Sequence, residues 1–128
     1  MEFPNDLYYS KEHTWVRIEN NIGIIGITEF AQSELGEIVY VDLPNPKMGY
    51  SFQQDKVFGS VEALKTVSDL YMPVSGKVIA TNETLLQNPT LVNSNPYDEG
   101  WLMKVEIQDS NEIKNLLTAE QYAQITNN

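Results

Sequence analysis

The feature that most limits the fold is a succession of short, frequently interrupted β-type segments. Residues 14–18 alternate apolar and polar side chains, as a strand with one buried face does. Asn20 and Asn21 suit a tight hairpin, and residues 22–27 form the predicted return strand. Its two glycines indicate a bulge or a close backbone approach. Further strands are predicted over residues 37–42, 56–61, 66–72, 77–81 and 101–107. This pattern predicts an all-β protein.

One short helix is predicted inside this β pattern. Thr28 is a suitable N-cap, Phe30, Ala31 and Leu35 recur at helical spacing, and Gly36 is a suitable stop. The segment 82–100 is rich in Asn and Pro, and we expect a long loop there.

A helical extension is predicted over residues 109–128. Asp109 precedes Glu112 by three residues and Thr118 precedes Gln121 by three, and both pairs resemble capping boxes. Two short C-terminal helices would then share one apolar face, made by Ile113, Leu116, Leu117, Tyr122 and Ile125.

Length indicates the number of domains, and net charge indicates which classes of partner the protein can bind. A chain of 128 residues fits a single domain, 1–128. Its net charge is −10, with 8 basic and 18 acidic residues. Nucleic-acid binding needs a basic face, and an anionic membrane surface attracts basic clusters, so we expect neither partner.

The sequence has no Cys and a single His, His13. These counts exclude disulfides, thiol nucleophiles and metal sites that need two histidines. The first residues have neither a basic n-region nor an Arg-rich amphipathic stretch, so we expect no targeting peptide and a cytoplasmic location. His13 beside Ser10 or Thr14 permits a hydrolase interpretation. A histidine packed at the start of a strand beside Trp15 is the ordinary alternative.

The most informative segment is 61–71, where apolar strands enter and leave the sequence Glu62-Ala63-Leu64-Lys65. Lys65 is therefore predicted at an exposed reversal of the chain. By itself this could be an ordinary surface lysine. However, the order of features here resembles the swinging-arm hairpin of lipoyl carrier proteins. A strand leads to an acidic, a small and an apolar residue before Lys65, and a second strand then leads to Pro-Val-Ser-Gly.

The whole chain resembles the H-proteins of the glycine cleavage system. Residues 35–44 read Leu-Gly-Glu-Ile-Val-Tyr-Val-Asp-Leu-Pro, and residues 68–76 read Ser-Asp-Leu-Tyr-Met-Pro-Val-Ser-Gly. The matching segments, which run nearly end to end, are residues 9–16, 25–32, 35–44, 58–62, 68–76, 91–97 and 100–102.

The resemblance implies a lipoyl/biotinyl-type β-sandwich (hybrid barrel) of two antiparallel sheets. It implies that Lys65 carries lipoic acid as lipoyl-lysine, attached by a lipoate ligase or lipoyl transferase. Glu62 resembles the acidic recognition element for that enzyme, and an ordinary solvated carboxylate is the alternative. The family usually has Glu-Ser-Val-Lys here, a small departure that leaves the lysine assignment intact.

The resemblance also implies a role in glycine catabolism and one-carbon metabolism without catalysis by the chain itself. The arm takes the aminomethyl group of glycine from the decarboxylase (P-protein) and delivers it to the aminomethyltransferase (T-protein). Dihydrolipoyl dehydrogenase (L-protein) then reoxidises the arm.

In the family, a cleft shelters the loaded arm, and the matching region here contains Glu12, His13, Thr14 and Asp69. The family commonly has Glu where this chain has Thr14. Side chains two apart on a strand share a face, so we expect Glu12 to supply a carboxylate near that place. Glu12 could equally be a plain surface acid.

Three other interpretations stay open. Biotinyl domains share the hairpin but favour Met on both sides of the lysine, where this chain has Leu64 and Thr66. Some H-like proteins donate lipoyl groups to 2-oxo acid dehydrogenase complexes. An unmodified β-sandwich interaction module, or a minor hydrolase using His13, is the third.

Overall fold

The computed structural model describes residues 1–126, which form two antiparallel β-sheets with short helices. The six-stranded sheet has the order β1-β2-β3-β9-β8-β5, and the three-stranded sheet has the order β4-β6-β7. The strands are β1 (Tyr8–Tyr9), β2 (Thr14–Glu19), β3 (Ile22–Ile27), β4 (Ile38–Asp42), β5 (Ser51–Phe52), β6 (Val57–Ala63), β7 (Val67–Tyr71), β8 (Gly76–Thr81) and β9 (Met103–Ile107). The predicted all-β sandwich is confirmed.

Between the two sheets lies the main apolar core, to which both contribute inward-facing side chains. It includes Val16, Ile25, Ile27, Ile38, Val41, Val61, Leu70, Val78 and Val105. Alternation along the strands directs these residues inward and their neighbours outward. Burial of this apolar surface is the main favourable contribution to folding. The core also gives the hairpin formed by β6 and β7 a rigid base.

The β2–β3 hairpin confirms the predicted turn and the predicted close approach. Asn20 has φ 56°, in the left-handed region that Asn tolerates. A Cβ added at Gly26 would lie 2.5 Å from carbon atoms of the Trp15 indole. Only glycine therefore leaves room for this ring, which is fully buried and donates its Nε1–H to the carbonyls of Ile27 and Pro96, both at 3.0 Å.

The predicted internal helix is α1 (Glu29–Leu35), and its caps are those predicted. The Thr28 side chain accepts a hydrogen bond from the backbone N–H of Ala31. Gly36 has φ 84° and donates its N–H to the Gln32 carbonyl, which ends the helix.

The prediction of a long loop over residues 82–100 is wrong. This segment contains two one-turn helices, α2 (Thr84–Gln87) and α3 (Leu91–Ser94), so the prediction of a single internal helix is wrong as well. Each buries one apolar side chain, Leu85 or Val92, in the main core. Neither begins with a side-chain cap, so the signal that predicts a helix from sequence is missing. A 3-10 helix over Pro46–Met48 and the two-residue strands β1 and β5 were not predicted either.

The C-terminal extension is partly as predicted. Helix α4 (Ala119–Ile125) has the complete capping box of Thr118 and Gln121. The first element is a 3-10 helix, Ser110–Asn115, and the side chain of Glu112 does not cap it. Both Glu112 carboxylate oxygens instead accept hydrogen bonds from Ser75, from its N–H at 2.6 Å and from its hydroxyl at 2.8 Å.

The single apolar face predicted for this extension is wrong. Ile113 and Leu116 pack on the main core, whereas Leu117 and Tyr122 pack in a second cluster. Ile125 is half exposed. The last two residues of the predicted extension, 127 and 128, lie outside the described residues.

The contact between Gly26 and Trp15 predicts a difference between two glycines of one strand. Gly26→Ala forces a methyl group into a fully buried indole, and overpacking of this kind costs roughly 1–3 kcal/mol of unfolding free energy. In Gly23→Ala the nearest atom is the end of the Val16 side chain at 3.1 Å, so the cost should be smaller. Urea unfolding of both variants measures the two costs. Equal stability of Gly26→Ala and the wild type would contradict this account.

Candidate functional site

Lys65 lies at the tip of the β6–β7 hairpin and is exposed. The register pairs Glu62 with Val67, and the N–H of Ala63 donates to the carbonyl of Thr66 at 2.8 Å. Leu64 and Lys65 are therefore the two residues at the reversal. Because β6 is the central strand of its sheet, paired with β4 and with β7, the backbone below the tip is held from both sides.

The Lys65 amine is available for modification. Within residues 1–126, Lys65 takes part in no ion pair and no side-chain hydrogen bond. Leu64, beside it, is 71% exposed. A long flexible stem with a single free amine on a rigid base is suited to carrying a covalently attached group.

Glu62 lies on the outer face of the three-stranded sheet, just below the tip. It is exposed and stands in one row with Tyr40 and Val67, its partners on β4 and β7. Both neighbours are large hydrophobic side chains that are exposed. Asp42, opposite Ser60 on β4, is the next outward carboxylate of this face. This outer face is therefore acidic, with two apolar side chains close to Lys65.

A cavity of about 240 Å³ lies at the base of the same hairpin. Its walls come from the turn before β2, helix α1 and strands β6 and β7. Its polar lining residues are Glu12, His13, Glu34, Ser68 and Asp69. The remainder of the lining is apolar. Three carboxylates around an apolar floor are suited to an apolar chain that ends in a cationic amine.

His13 is the one imidazole of the chain and is held on two sides. Its Nδ1 lies 2.7 Å from the hydroxyl of Tyr122, and its ring packs on Phe30 at 5.0 Å between centroids. Burial lowers the pKa of His13 from its usual value, although the negative charges of Glu12 and Glu34 act to raise it. At neutral pH the imidazole is therefore mainly neutral.

Thr14 is turned away from the cavity. It is 1% exposed, and its hydroxyl bonds to the Ser10 hydroxyl at 2.7 Å and to the Tyr71 carbonyl at 3.0 Å. Strand β2 begins at Thr14, so Glu12 lies in the preceding turn, and the argument that both share one face of a strand is wrong. The structure brings Glu12, His13 and Asp69 together and leaves Thr14 out.

Two residues of this site were missed by the sequence reasoning. Glu34 lies four residues after Phe30 on α1, so the helical spacing could have placed it on the cavity. Tyr122 is 109 residues from His13 in sequence, and no local pattern connects them.

Other chemistry has little geometric support in the described residues. The hydroxyls of Ser10 and Thr14 bond to each other, and the hydroxyl at His13 belongs to Tyr122. Residues 1–126 contain no group of three or more potential metal ligands. None of the helices in this part of the chain is long and apolar enough to span a membrane.

Comparisons with known proteins identify the family. The profile described as "Glycine cleavage H-protein" matches residues 7–128. The chain is 56% identical over 127 residues to a glycine cleavage system H protein of Bacillus mycoides (strain KBAB4), covering 99% of this chain and 98% of the relative. It is 55% identical over the same length to the protein of that name from Bacillus anthracis (strain A0248).

A solved structure extends the likeness to the fold. The crystal structure of a glycine cleavage system H protein from Mycobacterium marinum superposes with a TM-score of 0.87 at 32% identity, covering 98% of this chain and all of the other. The exposed lysine hairpin, the cavity beneath it and these matches agree: the chain belongs to the glycine cleavage H-protein family, the lipoyl carriers of the glycine cleavage system.

Proposed function

We propose that Lys65 is the lipoyl attachment site of this chain and that the modified side chain is its working part. The observation that carries the proposal is the exposed Lys65 amine, without an ionic or hydrogen-bond partner in the described residues, at the tip of a hairpin built on the core. When bound to Lys65, the lipoyl group would supply a dithiolane whose S–S bond opens to accept the aminomethyl group of glycine, and the dithiol left after transfer would be oxidised back to the dithiolane by the L-protein.

The residues around Lys65 suit a carrier rather than a catalyst. The two-residue loop exposes the amine while the strands keep its base fixed, which is the usual division between a functional loop and a rigid scaffold. Tethering raises the concentration of the carried group at each docked enzyme. We therefore assign the chemistry to partners and none of its steps to this chain.

The surface charge supports several successive partners. The net charge is −10, and Asp42 and Glu62 share the outer face beside Lys65. An acidic face favours fast, salt-sensitive association with basic rims. We assign these partners as the P-, T- and L-proteins of glycine cleavage, together with a lipoate ligase or lipoyl transferase that recognises Glu62. The cytoplasmic location and the single domain over residues 1–128 stay predictions.

We further propose that the cavity beneath the hairpin shelters the loaded arm. Glu12, Glu34 and Asp69 surround it, and their negative charges favour the cationic amine that the carried group presents. The apolar lining suits the hydrocarbon part of the arm and limits the access of water. Thr14 has no part in this proposal, because its side chain is buried elsewhere.

Intact-mass measurement after incubation with lipoate, ATP and a lipoate ligase tests the attachment site. The wild type should gain one lipoyl increment, and Lys65→Arg none, because a guanidinium is not an acceptor for this amide bond. Lys56→Arg, at the base of the same hairpin, should still gain the increment. In a time course, Glu62→Gln should slow modification roughly tenfold, which corresponds to about 1.4 kcal/mol of lost recognition. A lipoyl increment on Lys65→Arg would contradict the proposal.

The lifetime of the loaded carrier tests the shelter. With glycine-derived aminomethyl groups loaded and no T-protein present, Glu12→Gln should release ammonia several-fold faster than the wild type, because one of the three carboxylates is lost. Glu120→Gln, an exposed carboxylate of α4, is the matched control and should leave the release rate unchanged. The shelter proposal fails if Glu12→Gln and the wild type release ammonia at the same rate.

A further inference from the structure

A line of hydrogen bonds runs from the start of α1 to the side chain of His13. The backbone N–H of Ala31 donates to Thr28 Oγ1 at 3.1 Å. Thr28 Oγ1 lies 2.8 Å from Tyr122 Oη, which lies 2.7 Å from His13 Nδ1. Thr28 and Tyr122 are fully buried, so water does not complete their hydrogen bonding. The direction of each hydroxyl proton therefore follows from the neighbours.

That direction runs toward His13. Thr28 Oγ1 already accepts from Ala31, and within residues 1–126 the acceptor available to its own proton is Tyr122 Oη. The Tyr122 proton then goes to His13 Nδ1, which must be unprotonated to accept it. The opposite direction would leave the buried Thr28 hydroxyl proton without an acceptor, which native structures avoid.

We propose that Thr28 and Tyr122 are positioning residues that hold His13 as the neutral tautomer protonated at Nε2, so that this N–H is the donor offered to the cavity. The cap of α1 sets the direction of the protons, and the C-terminal helix α4 supplies the connecting hydroxyl. This extends the site to an element that has no residue in the cavity lining.

The packing of Tyr122 supports this role, since the ring cannot move away from His13 without breaking contacts. It stacks on Tyr9 with centroids 4.9 Å apart and an interplanar angle of 9°, and Phe3 packs edge-on at 5.0 Å. Burial raises the pKa of Tyr122 to about 12, so its hydroxyl keeps its proton at neutral pH. The donor is thus fixed in both position and protonation.

The backbone of His13 is also held in a demanding conformation. Its φ is 70°, in the left-handed region that non-glycine residues seldom adopt. The His13 carbonyl accepts a hydrogen bond from the N–H of Thr28 at 3.1 Å. Thr28 therefore contacts the His13 backbone directly and the His13 ring through the Tyr122 hydroxyl. Backbone strain at a residue that lines a cavity is typical of a position held for function.

The charges that face His13 are compatible with this tautomer. Glu12 and Glu34 favour the protonated imidazole, and Asp69 lines the same cavity, but burial outweighs them and the pKa of His13 is lowered. A neutral imidazole with Nδ1 occupied offers Nε2–H as a donor and no free acceptor. The significance of this donor for the arm rests on the proposed function, whereas the tautomer is a property of the unmodified chain.

Long-range ¹H–¹⁵N NMR of the unmodified, ¹⁵N-labelled protein at pH 7.5 reads the tautomer directly. His13 is the one histidine in the sequence, so its two ring nitrogens need no further assignment. The wild type should show Nε2 protonated and Nδ1 unprotonated. Tyr122→Phe, which removes the hydroxyl and keeps the ring, should give a mixture of tautomers.

Matched variants separate this role from simple packing. Tyr9→Phe also removes a buried hydroxyl from the same stack, one that donates to the Pro4 carbonyl, and should leave the tautomer unchanged. Thr28→Ser keeps the hydroxyl and should preserve the wild-type signals. An Nδ1-protonated His13 in the wild type, or wild-type signals in Tyr122→Phe, would overturn the proposal. Either result would leave lipoylation of Lys65 unaffected.

Discussion

The site depends first on the backbone pairing that holds the β6–β7 hairpin. One hydrogen bond, from Ala63 N–H to the Thr66 carbonyl, closes the two-residue reversal, and β4 on the far side of β6 completes the support. Lys65 therefore has an exposed side chain on a backbone that is held by paired strands. A swinging arm needs this combination, because a mobile base would lower the concentration of the carried group at each docked partner.

A second set of contacts links the chain termini to the cavity. The smaller apolar cluster joins Leu7 and Tyr9 near the N-terminus to Tyr97 and Tyr122, with Trp15 among them. Trp15 fits against Gly26 and donates to carbonyls of β3 and of the segment before β9. This cluster places the Tyr122 hydroxyl on His13. The C-terminal helix is thereby part of the site's architecture although it lies outside the cavity lining.

How far the sequence predicts the structure depends on whether the signal is local. The caps Thr28 and Gly36 and the turn at Asn20 were predictable, because each depends on residue types within a few positions of sequence. The exposed reversal at Lys65 follows from the two predicted strands that flank it. Helices α2 and α3 have no side-chain caps and are stabilised by burial of Leu85 and Val92, which only the tertiary structure shows.

The errors at the candidate site have the same physical origin. Strand alternation was applied across Glu12 and Thr14, but the left-handed φ of His13 interrupts the strand between them. The contact of His13 with Tyr122 spans 109 residues, and it depends on how α4 packs on β1. The family resemblance supplied the lysine and the cleft residues Glu12, His13 and Asp69, whereas the contact of His13 with Tyr122 required coordinates.

The most direct test of the central claim is glycine–bicarbonate exchange catalysed by a P-protein, measured with this chain in its fully lipoylated and unmodified forms. Exchange should increase in proportion to the lipoylated chain added, and the unmodified chain should give none above the P-protein alone. A fully lipoylated chain that does not support exchange would contradict the account, and it would favour the role of lipoyl donor to 2-oxo acid dehydrogenase complexes.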